Sequence, residues 1–166
     1  FLGYPPIELV FTAASKAHSL SDEDIDTEQT RRLASLSFLV IEDNEFAQNL
    51  AVGLLEIIGA GKVRCAGNGL DALSELLVAD TPPDVLLLDL GMPAMIGPEM
   101  MQQLAARDFS GALILVSGAD EITLDVAGQL AAARGLNVLG QITKPLTRDS
   151  LSQALANLPA EPEPAS

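Results

Sequence analysis

The sequence predicts an α/β fold: a doubly wound, five-stranded parallel sheet with helices on both faces. Three observations carry this. Continuous apolar runs of strand length recur along the chain, stretches with apolar residues at helical spacing separate them, and Gly- or Pro-containing breaks punctuate the alternation. Five such β/α units with right-handed crossovers build an open parallel sheet.

The first strand is Ser37-Phe38-Leu39-Val40-Ile41. Phe46, Leu50, Leu54, Ile57 and Ile58 then mark a helix that ends at Gly59-Ala60-Gly61. Val63 to Ala66 is the second strand, and Leu70, Leu73 and Leu77 mark a helix broken by Thr81-Pro82-Pro83. The central strand begins near Asp84 and runs through Val85-Leu86-Leu87-Leu88 to Asp89, before the turn Leu90-Gly91-Met92-Pro93. Met100, Met101 and Leu104 mark the third helix, and Leu113-Ile114-Leu115-Val116 leads to Ser117. Ile122, Val126, Leu130 and Ala133 fit one face of an extended fourth helix, since 27 positions separate Ser117 from Lys144. The fifth strand, Val138 to Thr143, leads to Lys144-Pro145, and Leu151, Leu155 and Leu158 mark the last helix.

Residues 1–35 precede this pattern as an extension or linker. Gly3-Tyr4-Pro5-Pro6 has the character of irregular chain, and Ile7 to Phe11 suits a strand or a helix start. Ser21 with Asp22, Glu23 and Asp24, followed by Arg31 and Arg32, has the charge order of a short helix. The domain proper spans 36–158. Residues 159–166, Pro159-Ala160-Glu161-Pro162-Glu163-Pro164-Ala165-Ser166, cannot bury a core and form a linker tail.

Composition fits one cytoplasmic domain: 166 residues, 48% hydrophobic, suffice for a single core. The net charge of −14 disfavours nucleic acid and anionic membrane surfaces, which need a basic patch. Cys65 is the sole cysteine, so no internal disulfide can form; it is expected to be a small core residue. No apolar run approaches the roughly 20 residues of a membrane-spanning helix.

The chemistry lies at the strand ends, because ligands of open α/β sheets bind outside the carboxyl ends of the strands. Glu42 and Asp43 follow the first strand, Asp89 ends the third, Ser117 ends the fourth and Lys144 follows the fifth. Three carboxylates at one edge raise each other's proton affinity unless a cation intervenes. Oxygen ligands with room for water favour magnesium, and a Lys ammonium neutralises an oxygen on Asp89. Carboxylates, hydroxyl and ammonium together suit an aspartyl phosphate.

From Ser37 to Leu158 the chain resembles the receiver domains of two-component response regulators. The resemblance rests on Glu42-Asp43, Asp89 with Met92-Pro93, Ser117-Gly118, Lys144-Pro145, and the turn Ala66-Gly67-Asn68-Gly69 into the second helix. It implies a flavodoxin-like sheet of order 2-1-3-4-5, with Asp89 as the phosphoacceptor. Asp43, Asp89 and the backbone carbonyl of Gly91 would hold Mg2+ or Mn2+, with Glu42 acting through water. Ser117 and Lys144 would contact the phosphoryl oxygens, and a cis peptide bond would precede Pro145. The implied partners are a sensor histidine kinase or histidine phosphotransfer protein and a downstream output domain. A homodimer is also compatible. The Ala-rich fourth helix with Gly135-Leu136-Asn137-Val138-Leu139-Gly140 and Lys144-Pro145-Leu146 is similar to receivers fused to EAL-type cyclic diguanylate phosphodiesterase domains.

Two departures bear on output. Gln141 stands where many receivers carry an aromatic switch residue, and Ile96 precedes Gly97 where an Asp is common. Rival classes fit less well. Gly59-Ala60-Gly61-Lys62-Val63 lacks the first glycine and the Ser or Thr of a phosphate loop, Glu56 and Val63 standing in those places. An aspartyl-nucleophile phosphatase of the haloacid dehalogenase-like kind needs an acid two residues after Asp89, where Gly91 stands. The remaining alternative is a receiver-shaped interaction or dimerisation module that is never phosphorylated, which the full set of site residues disfavours.

Overall fold

The computed structural model describes residues 29–78, 81–91, 97–118 and 121–159. The alternation of patterns becomes β1 (Ser37–Ile41), α1 (Glu45–Ile58), β2 (Lys62–Ala66), α2 (Gly69–Val78), β3 (Val85–Asp89), α3 (Gly97–Ala106), β4 (Ala112–Ser117), α4 (Glu121–Ala133), β5 (Asn137–Thr143) and α5 (Arg148–Leu155). A helical segment, 29–35, runs into β1. The strands form one parallel sheet of order β2-β1-β3-β4-β5, the flavodoxin-like arrangement.

Side chains alternate along each strand, so each strand feeds two cores. Leu39, Ile41, Leu86, Leu88, Leu113 and Leu115 meet Ala72, Leu73, Met100, Met101, Leu104, Leu124, Ala127 and Ala131 on one face. Phe38, Val40, Val85, Leu87, Ile114 and Val116 meet Ala51, Leu55, Leu151, Ala154 and Leu155 on the other. Thus α2, α3 and α4 cover one face, and α1 and α5 the other. Every residue of β3 and β4 is buried, as continuous apolar strands in a covered parallel sheet must be.

Local chemistry sets the helix ends near the site. Asn44 caps α1, its side chain accepting from the Ala47 amide at 2.9 Å, and Gly59 ends that helix at φ 109°, a left-handed conformation natural to glycine. Thr147 and Ser150 form a reciprocal capping box at the start of α5.

Three sequence expectations change. Cys65 is exposed rather than core, because β2 is an edge strand. On α4 the buried line is Leu124, Ala127 and Ala131, while Val126, on the expected face, is 59% exposed. The α1 periodicity holds, but its inward residues are Ala51 and Leu55; Phe46 and Ile57 face outward, 79% and 63% exposed. Expectations for residues 1–28, for Met92, Pro93 and Ile96, and for the tail residues 160–166 lie outside the described residues. Among the described residues no helix is long and apolar enough to cross a membrane.

Candidate functional site

Five strand ends converge at the carboxyl edge of the sheet, and backbone hydrogen bonds hold the connecting residues in register. The Glu42 amide donates to the Ala66 carbonyl at 3.0 Å, the Leu90 amide to Val116 at 2.9 Å, and the Lys144 amide to Ser117 at 2.9 Å. The parallel pairing thus places Glu42, Asp89, Ser117 and Lys144 around one point, although 102 residues separate Glu42 from Lys144 in sequence.

Lys144 is the hub. Its ammonium donates to Asp89 Oδ2 at 3.1 Å and to Glu42 Oε2 at 3.2 Å. The other oxygen of each carboxylate takes a backbone amide: Asp89 Oδ1 accepts from Gly91 at 2.9 Å, and Glu42 Oε1 from Asn44 at 3.2 Å. Glu42 and Asp89 are each 5% exposed and Ser117 2%, so the polar groups are buried beneath an exposed Asp43. The Lys144-Pro145 peptide bond is cis.

This crowding shifts proton affinities in opposite directions. Burial raises Glu42 to a pKa of about 7, reinforced by the Asp89 carboxylate and opposed by Lys144 and the Asn44 amide. Burial also pushes Asp89 upward, but hydrogen bonds from Glu42, the Gly91 amide and Lys144 outweigh it and hold Asp89 below its ordinary value. Burial depresses Lys144, but the two carboxylates more than compensate and its proton is held more tightly than usual.

Carboxylate oxygens of Glu42, Asp43 and Asp89 lie within 4.8 Å of one another, a group able to hold a metal ion. The donor set fits a hard divalent cation: all ligand atoms are oxygens, and one ammonium faces two buried carboxylates while Asp43 stays open to water.

Gln141 stands apart from this cluster. It is exposed on β5, its side chain laid against α4 where Gly128 leaves room; a Cβ on Gly128 would collide with the Gln141 amide nitrogen. Sequence reasoning missed the wall beside the acids. An open cavity of about 400 Å³ runs from Asp89 and Lys144 past Phe46, Leu50 and Leu146. The spacing of Phe46 and Leu50, one turn apart directly after the acid pair, was its signal.

Comparison with known proteins agrees with this geometry. Residues 38–156 match the model of the response regulator receiver domain. A response regulator receiver protein of Anaeromyxobacter is 39% identical over 111 residues, 66% of this chain and 42% of that protein. The cyclic di-GMP phosphodiesterase RocR of Pseudomonas aeruginosa is 28% identical over 120 residues, 72% of this chain and 30% of its own length. The chain therefore spans less than half of either relative. A crystal structure of a response regulator from Colwellia psychrerythraea superimposes with a TM-score of 0.62 at 32% identity, covering 74% of this chain and 95% of that one. The chain belongs to the response regulator receiver family, the signalling domains of two-component systems.

Proposed function

We propose that this receiver accepts a phosphoryl group on Asp89 from a histidine kinase or phosphotransfer protein, and that the modified domain alters a downstream output. The observation that carries this is Lys144 bridging Asp89 and Glu42 with the Asp43 carboxylate in reach. Asp89, kept ionised, is the nucleophile: a P–O bond to its oxygen forms as the P–N bond of a phosphohistidine breaks, and the freed imidazole keeps the electron pair. Lys144 follows the incoming charge, exchanging its carboxylate contacts for a phosphoryl oxygen, and the Ser117 hydroxyl donates to another.

Asp43, Asp89 and the Gly91 carbonyl, with Glu42 through water, would hold Mg2+ or Mn2+. Such an ion supplies positive charge against the phosphoryl oxygens when bound. The domain is a signalling module, not an enzyme with an external substrate; its chemistry is confined to its own phosphorylation and dephosphorylation. Gln141, beside α4, occupies the switch position through which the β5–α4 surface senses Ser117. A cyclic diguanylate phosphodiesterase is a candidate output, supported by the likeness to RocR. Self-association through the α4–α5 surface and action in the cytoplasm belong to the same reading.

Intact-mass measurement after incubation with a small phosphodonor and magnesium tests it. One phosphoryl adduct, lost without magnesium and in Asp89→Asn, is expected. No adduct under any donor would replace this reading with a non-phosphorylated interaction module.

A further inference from the structure

The family match begins at residue 38, yet the chain just before it is built into the fold. Leu33, in the helical segment 29–35, is 2% exposed and sits in the same core as Phe38, Leu55, Leu151 and Leu155. Its backbone is tied as well. The Leu33 carbonyl accepts from the Gly61 amide at 3.0 Å, and the Leu36 carbonyl accepts from Lys62 at 3.3 Å. The turn between α1 and β2 is shaped to receive this segment: a Cβ on Gly61 would collide with the Ala34 carbonyl, and one on Gly59 would press the Thr30 methyl at 3.2 Å.

The same segment reaches the other end of the domain. The Arg32 guanidinium donates from Nη2 to the carbonyl of Pro159, just past α5, and its Nε is buried without a hydrogen-bond partner. Helix α5 has no basic residue in its last turn. The Arg32 contact falls beyond the helix, on the segment that follows Ala156, and so ties the N-terminal side of the fold to the chain leaving α5. These contacts lie at the starts of β1 and β2, the end of the sheet opposite Asp89.

We propose that residues 29–35 are an integral helix of this receiver whose Arg32 clasps the departing chain at Pro159, so that the incoming and outgoing segments are held together opposite the phosphoacceptor. The partner of the Arg32 surface is the chain's own exit segment. With this clasp and the burial of Leu33, the folded unit begins at residue 29 rather than 36.

Carbonyl 13C shifts and amide hydrogen exchange on the full, unphosphorylated chain test this. In Arg32→Ala the Pro159 carbonyl resonance, released from its hydrogen bond, should move upfield, with the sheet unchanged and Arg32→Lys intermediate. An unmoved Pro159 carbonyl in Arg32→Ala overturns the clasp. In Leu33→Ala the Gly61 amide should exchange at least tenfold faster than in the native chain, and the melting midpoint should fall by roughly 5–10 °C. An unchanged midpoint and unchanged Gly61 exchange show that 29–35 is no part of the folded unit. Neither readout depends on phosphorylation, so this inference and the phosphoacceptor reading stand or fall separately.

Discussion

Lys144 and Asp89, 55 positions apart in sequence, are joined by a 3.1 Å contact between the ammonium and Oδ2. The same ammonium holds Glu42, so one cation compensates two buried carboxylates and the site carries surplus negative charge. In the proposed function, that surplus is what a divalent ion would offset and Lys144 is the cation that would follow the incoming phosphoryl charge.

Lys144→Ala removes this compensation. Its phosphorylation rate by a small phosphodonor, followed by intact mass, should fall by about 10²–10³-fold, the usual cost of losing one preorganised donor. Lys144→Arg should recover only part of the rate, because a planar fork does not substitute for a compact ammonium.

The proton held by Glu42 makes metal-free stability depend on pH. Its pKa in the folded chain is raised from 4.5 to about 7, so its contribution is fully present below pH 4.5 and is lost as pH rises through about 7. Asp89, shifted downward, acts oppositely: its contribution is present above its unfolded pKa near 3.8 and is lost at lower pH. Denaturant midpoints without metal should decline between pH 5 and 7 in the native chain, and the decline should flatten in Glu42→Gln.

Magnesium should stabilise the chain by mass action, since its ligands assemble only in the fold. The melting midpoint should rise with magnesium concentration, and Asp43→Asn should remove most of that rise while leaving the metal-free midpoint nearly unchanged. Asp43 is the exposed member of the acid cluster and makes none of the Lys144 contacts. A full magnesium response in Asp43→Asn would place the ion elsewhere.

Burial separates two apolar residues that look alike in sequence. Leu88 is fully buried and Phe46 is 79% exposed. Leu88→Ala should cost about 2–5 kcal/mol by urea unfolding, whereas Phe46→Ala should stay within about 0.5 kcal/mol.

Gly128 and Gln141 should be energetically coupled. Alanine in a helix interior is favoured over glycine by roughly 1 kcal/mol, but at 128 its methyl displaces the Gln141 amide. Gly128→Ala should therefore stabilise Gln141→Ala more than the native chain, by at least about 0.5 kcal/mol in a double-mutant cycle. The side-chain amide resonances of Gln141 should shift in Gly128→Ala.

Much of this was legible in the letters. Val85 to Asp89 and Leu113 to Ser117 are strands buried on both sides, and such strands have continuous apolar patterns that need no tertiary knowledge to recognise. Amphipathic helices are harder. Val126 and Leu124 are equally apolar, and only the angle at which α4 meets β4 and β5 decides that Leu124 goes in and Val126 out. For the same reason Phe46 and Ile57 marked α1 without facing the core.

By itself the sequence determined the alternation of five strands and five helices and the identity of the groups at the strand ends, because side-chain periodicity, glycine and proline breaks, and crossover handedness are local rules. The tertiary structure alone decided that Lys144 pairs with both Glu42 and Asp89, that Cys65 lies open on an edge strand, and that Leu33 is core. Each depends on which elements become neighbours across tens of residues, and burial and charge pairing exist only once those neighbours are in place.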